Sequence, residues 1–126
     1  MADVPMAAIL VATDINRAKA FYSEKLGLRP ADRSVPPDAA AFVSGGGAML
    51  YLYERKEGTR ADHTVAGWLV ENVEKSVNAL RERGIVFEQY DMPGLKTDER
   101  GIAEAGVSRS AWFKDTEGNI LAIVEA

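Results

Sequence analysis

The chain has 126 residues, 47% hydrophobic and 27% charged, which is the usage of an ordinary globular domain rather than a disordered or fibrous chain. Fifteen basic against nineteen acidic residues give a net charge of -4 with the signs interspersed, and this excludes the clustered basic footprint of a nucleic-acid or membrane-surface binder. With no cysteine, disulfides and thiolate chemistry are excluded, and no apolar run is long enough to cross a bilayer. The expectation is one cytoplasmic domain over residues 1–126, with no nucleic-acid and no membrane partner.

Residues 4–13 open with a short apolar run. Asp14 then stands where a helix N-cap belongs, and Ile15, Ala18, Phe21, Tyr22 and Leu26 recur on one helical stripe before Gly27 stops it. Residues 28–34, 39–44 and 48–54 read as strands, separated by Pro36-Pro37 and by Gly45-Gly46-Gly47, both turn signals. Gly45-Gly46-Gly47 is a hairpin turn rather than a phosphate cradle, because no helix follows it. Strand, helix and three strands make a βαβββ unit over about residues 4–54.

The second half repeats the order. Residues 64–70 are strand-like, Asn72 takes the place of Asp14, Val73, Val77 and Leu80 mark a second stripe, and Gly84 ends it. Laying residues 14–27 over 72–84 with one deletion pairs Ile15 with Val73, Arg17 with Lys75 and Glu24 with Glu82. Residues 85–90, 109–114 and 119–125 supply the three strands that complete a unit over about residues 64–125. Only residues 91–108, with Pro93, Gly94, Asp98, Gly101 and Gly106, fail to fit. They read as a long loop, either a lid or a surface excursion.

Three stretches carry a family resemblance: Asp14, Ala20, Phe21, Tyr22, Leu26, Gly27 and Leu28; Val70-Glu71-Asn72-Val73; and Trp112-Phe113-Lys114-Asp115-Thr116-Glu117-Gly118-Asn119. Together the sequence resembles the vicinal-oxygen-chelate superfamily of glyoxalases, bleomycin-resistance proteins and extradiol dioxygenases. Thr116 stands where that pattern most often has proline. The resemblance implies an α+β fold, in which two βαβββ units form a curved mixed sheet around a concave pocket with the helices on the outer face.

It also implies where metal ligands would fall in metal-dependent members. Counted from Asp14 and Gly118, those positions are Ala7, Tyr51, Val65 and Ala122. Three of these carry no lone pair and a lone neutral phenol is a poor ligand, so the expectation is no metal site and no cofactor. The single histidine, His63, sits beside Asp62 in a polar stretch and reads as a solvated loop residue.

Period-two alternation from the counted positions turns Ala7, Ile9, Val11, Met49, Tyr51, Tyr53, Val65, Gly67, Leu69, Ile120, Ala122 and Val124 to the pocket face. The resemblance adds Trp112. Trp68 falls on the opposite, helix-covered face together with Leu50, Leu52, Leu121 and Ile123. No nucleophile, base and acid combination is visible, so the catalytic residues stay unassigned. The expected function is metal-independent binding of an apolar or aromatic small molecule by Ala7, Ile9, Met49, Tyr51, Tyr53, Val65, Gly67, Trp112 and Ala122, in a homodimer. The alternatives are a lyase, isomerase or dioxygenase-like enzyme with displaced catalytic groups, and an interaction module whose pocket is filled.

Overall fold

The computed structural model describes residues 1–105 and 108–125. The chain divides into two units, Met1–Arg60 with Thr116–Asn119, and Ala61–Asp115 with the final strand.

The first unit starts with β1 (Ala7–Ala12) and α1 (Ile15–Ala20). Asp14 caps the helix as its spacing predicts, its carboxylate accepting the Arg17 N–H at 3.1 Å. Beyond Ala20 the helix widens into a π-turn over Phe21–Lys25, where the Leu26 N–H reaches the Phe21 carbonyl at 3.2 Å. Gly27, at φ 69, then turns the chain away. There follow β2 (Arg29–Pro30), β3 (Ala39–Val43) and β4 (Met49–Glu54), in the sheet order β1-β4-β3-β2 with β1 parallel to β4 and the other pairs antiparallel. The expected strand over residues 28–34 is thus reduced to two residues. Pro30 has no N–H to donate, and the segment lies at the sheet edge where proline is tolerated.

Alternation sorts β1 and β4, while β3 is buried on both faces. Leu10, Ala12, Phe42, Leu50 and Leu52 are buried on one face, where Ile15, Ala18, Phe21 and Tyr22 of the helix are buried as well. Tyr22 lies 6.0 Å from Phe42 between ring centroids. Each large side chain in this layer contributes about 1.5–3 kcal/mol by leaving water.

The second unit repeats the plan with β5 (Thr64–Val70) and α2 (Val73–Glu82), the latter capped by Asn72, whose side-chain oxygen accepts the Lys75 N–H at 2.9 Å. A hairpin of β6 (Asp91–Met92) and β7 (Leu95–Lys96) precedes β8 (Ile102–Ala105), β9 (Ser108–Lys114) and β10 (Ile120–Glu125). The sheet order is β5-β10-β9-β8, again with one parallel pair, β5 and β10, and antiparallel neighbours. Val73, Val77, Ala111, Phe113, Leu121 and Ile123 are buried here, and Trp68 stacks on Phe113 at 6.4 Å. The expected place of Trp68 on the helix-covered face therefore holds.

Two sequence-based expectations change. Residues 85–90 are not a sheet strand: Phe87 makes a single bridge to Phe113, and the strand flanking β9 is instead β8, from inside the expected loop. The cause is a turn hidden among charged residues. The Asp98 carboxylate accepts the N–H groups of Arg100 and Ile102 at 2.8 and 3.0 Å and so aims the chain into β8. Gly101 is what lets the two segments share the edge of β9. Its φ is 85, and a Cβ there would lie 2.8 Å from the Phe87 Cβ and 3.0 Å from the Glu88 carbonyl oxygen. Within the stretch 91–108, residues 91–105 are consequently a hairpin, a turn and a strand rather than a long loop, and Gly106 and Val107 lie outside the described residues.

Candidate functional site

In each unit the sheet face turned away from the helix carries the residues singled out by parity. In the first unit β1 and β4 run in register, Ala7 beside Met49, Ile9 beside Tyr51 and Val11 beside Tyr53. On the other side of β4 stand Ala41 beside Tyr51 and Ala39 beside Tyr53. Each phenol thus has a branched aliphatic neighbour on one flank and an alanine on the other. Ile9 is 63% exposed and Tyr53 39% exposed, so this apolar surface is open within its unit.

In the second unit Trp112, Ala122 and Gly67 form one row across β9, β10 and β5. The row is flat because two of its three members have no side chain beyond Cβ. The indole Nε1–H donates to the Thr64 hydroxyl at 3.1 Å. Since Thr64 belongs to β5 and Trp112 to β9, the ring must reach across β10, and Ala122 in that strand is buried. Tyr90 meets the indole edge-on, with centroids 5.7 Å apart and planes at 76°. Burial, and then the charge of Glu88, raise the Tyr90 pKa, so the phenol stays protonated.

A register shift between Ile120 and Leu121 decides which β5 residues share this face. Thr64 comes beside Ile120 and Ala66 beside Leu121, leaving Val65 without a register partner in β10. Of the nine residues read from sequence, Ala7, Ile9, Met49, Tyr51 and Tyr53 lie together in the first unit, and Gly67, Trp112 and Ala122 in the second. Val65 sits at the irregularity. Thr64 and Tyr90 were missed. Strict alternation hides a residue beyond a bulge, and Tyr90 ended a segment taken for a regular strand.

The side chains at the four counted metal positions, Ala7, Tyr51, Val65 and Ala122, do not fit an ion. Among the described residues no three histidine, cysteine, aspartate or glutamate side chains gather closely enough to hold one. Glu117 and Glu125 have other partners. Glu117 accepts the N–H groups of Thr13 and Asp14 at 2.9 and 3.1 Å and the Arg17 guanidinium at 2.8 Å. Burial raises its pKa, but the hydrogen bonds from Arg17, Thr116, Asp14 and Thr13 outweigh that and bring it down from 4.5 to about 2. Glu125 accepts the Val73 N–H and the Arg109 guanidinium, at 2.9 and 2.8 Å. His63 is exposed, with Nδ1 3.1 Å from the Thr64 carbonyl oxygen.

The repeated βαβββ sheets and the sequence now converge on a family. The model of the Glyoxalase/Bleomycin resistance protein/Dioxygenase superfamily matches residues 5–123, and the chain belongs to that superfamily. Among solved structures it is similar to the lactoylglutathione lyase from Agrobacterium tumefaciens, with 21% identity, TM-score 0.69, and coverage of 98% of this chain and 94% of that one. It is also similar to a superfamily member from Sphaerobacter thermophilus DSM 20745, with 20% identity, TM-score 0.72 and coverage of 98% and 97%, and to the oxidase ChaP-H2, with 21% identity, TM-score 0.71 and coverage of 100% and 95%. At these identities the likeness shows the fold. No curated protein is significantly similar in sequence.

Proposed function

We propose that this chain is a metal-independent member of the superfamily that binds an apolar or aromatic small molecule on its helix-free strand faces. The observation that carries the reading is chemical: where metal-dependent members place ligands, this chain places alanine, tyrosine, valine and alanine, among side chains that are otherwise aliphatic or aromatic. Such a surface offers desolvation and ring contacts with few polar groups to fix orientation, the make-up of a small-molecule site. A homodimer is part of the proposal. β1 and β5 are edge strands, and their exposed Ile9 and Leu69, the latter 78% exposed, suit coverage by another surface. No helix is long and apolar enough to cross a membrane, and a cytoplasmic location is proposed on the same footing as the dimer.

Native mass spectrometry of untagged protein from its own host, paired with elemental analysis, tests the proposal. The expected result is a co-purifying organic species released by denaturation, and no stoichiometric first-row metal. One equivalent of metal that survives dialysis would overturn the metal-independent reading.

A further inference from the structure

The row Trp112, Ala122, Gly67 places something more specific than an apolar surface in the second unit. An indole held by its N–H to a threonine on the far side of β10 is fixed in direction. It has no hydrogen left to donate, and its remaining asset is a ring face. Tyr90 stands nearly perpendicular to it, at 76° with ring centroids 5.7 Å apart, so the two rings form an edge-to-face pair. The hydrogen bonds of Tyr90 run from its backbone to Thr97, and among the described residues its hydroxyl has no partner. A fixed ring face, a perpendicular ring and one free phenol hydroxyl are the parts of a stacking site with a single polar handle.

We infer that Trp112 and Tyr90 form a stacking platform selective for a planar aromatic ring bearing a hydroxyl or carbonyl group, with Thr64 as the positioning residue that orients the indole. The inference rests on the proposed small-molecule function and deepens it by naming the class of ligand. Planarity matters because stacked and edge-to-face contacts with two rings at right angles are gained by a flat π-system and lost by a puckered ring of equal apolar area. The hydroxyl or carbonyl matters because the Tyr90 hydroxyl, without a partner among the described residues, can both donate and accept as a neutral phenol.

The two tryptophans make the test direct, since Trp68 lies on the helix-covered face against Phe113. In a Trp68→Phe background Trp112 is the sole indole, and its emission reports the platform. The probes are β-naphthol and its fully saturated counterpart, titrated by calorimetry and by indole emission. The naphthol is expected to bind more tightly than the saturated alcohol and to perturb the emission. Trp112→Ala should weaken naphthol binding roughly two- to twelvefold while leaving the saturated alcohol little changed. Thr64→Val should shift the emission of the free protein and weaken naphthol binding, and Thr64→Ser, which keeps the hydroxyl, should restore both; a merely structural role would not give that rescue. Tyr90→Phe should weaken binding of β-naphthol but not of naphthalene. Equal affinity for flat and saturated probes, with both lost in Trp112→Ala, would overturn the aromatic selectivity and leave the small-molecule function standing. Absence of binding by either probe would overturn the platform, whereas a ligand found by native mass spectrometry would still support the broader function.

Discussion

The starts of the two helices have the same backbone plan and different chemistry. In both units an aspartate or asparagine caps the helix, and a glutamate ending the parallel strand beside the unit's first strand accepts the first helical N–H: Glu54 from Ile15 at 2.9 Å and Glu125 from Val73 at 2.9 Å. The first unit then adds a fully buried carboxylate, since the Glu117 side chain has 0% exposure and gathers two N–H groups and a guanidinium. The second adds partly exposed ion pairs instead. Arg109 spans Glu125 and Glu74 at 2.8 and 3.8 Å, and Arg100 spans Glu74 and Asp98 at 2.8 and 2.7 Å. One repeat anchors its helix through a buried acceptor and the other through solvated charges, so the same plan should respond differently to mutation, pH and salt.

Glu117→Ala should give the largest effect. It strands the Thr13 and Asp14 N–H groups, and the expected loss is roughly 2–4 kcal/mol, from one charge-assisted set of bonds plus unpaired donors. Arg17 is half exposed, so water can take over its charge and hold the loss within that range. The pH dependence has a definite sign. The folded pKa of about 2 lies below the ordinary 4.5, so the stability that Glu117 supplies is complete above about pH 4.5 and lost as pH falls toward 2. Urea denaturation between pH 6 and about 2.5 should show the parent losing stability and Glu117→Gln losing less. A parent and variant with parallel profiles would remove Glu117 as the anchor of the first helix.

Glu54→Ala is the next step down, because it removes one bond from a solvated carboxylate to the Ile15 N–H. About 1 kcal/mol is expected, the usual size of a lost cap. Thermal unfolding compared with the Glu117 variants measures the ratio, and an equal or larger loss for Glu54→Ala would show that the single cap, not the buried cluster, holds α1.

Much of this plan was legible in the sequence, and the misses have physical causes. Asp14, Asn72, Gly27 and Gly84 gave away both helices because caps and stops act within a turn or two of the chain. The sorting of Leu50, Leu52, Trp68, Leu121 and Ile123 onto the helix side followed from alternation, since a strand has only two faces. β8 was not legible: Ile102–Ala105 is a strand because it finds β9, and the Asp98 turn and the crowded Gly101 that deliver it there look like any polar loop. Thr64 was hidden by a bulge that depends on how β10 meets β5. Glu117 was read as part of a family turn, but its bonds to Thr13, Asp14 and Arg17 span about a hundred residues, a separation at which local pattern carries no information.

The smallest effect should come from the ion pairs of the second unit, and it separates the two anchoring schemes by salt. The Glu125 pKa is lowered by hydrogen bonds from Arg109 and the Val73 N–H, and the Arg100 and Arg109 pKa values are raised by their carboxylate partners. The Arg100, Glu74 and Asp98 side chains are the more exposed of these groups, and there counterions compete for them. Arg100→Ala leaves Glu74 in contact with Arg109 and leaves Asp98 bonded to two backbone N–H groups, so the turn into β8 should survive. The expected outcome is a slight loss at low ionic strength that vanishes by about 1 M sodium chloride, where the Debye length falls to roughly 3 Å. The loss in Glu117→Ala should change little over the same range, because its acceptor is out of reach of counterions. Denaturant melts of both variants across the salt series decide the matter: if both losses fade together, the Glu117 cluster is behaving as a surface pair despite its burial, and if neither fades, Arg100 acts through packing rather than charge.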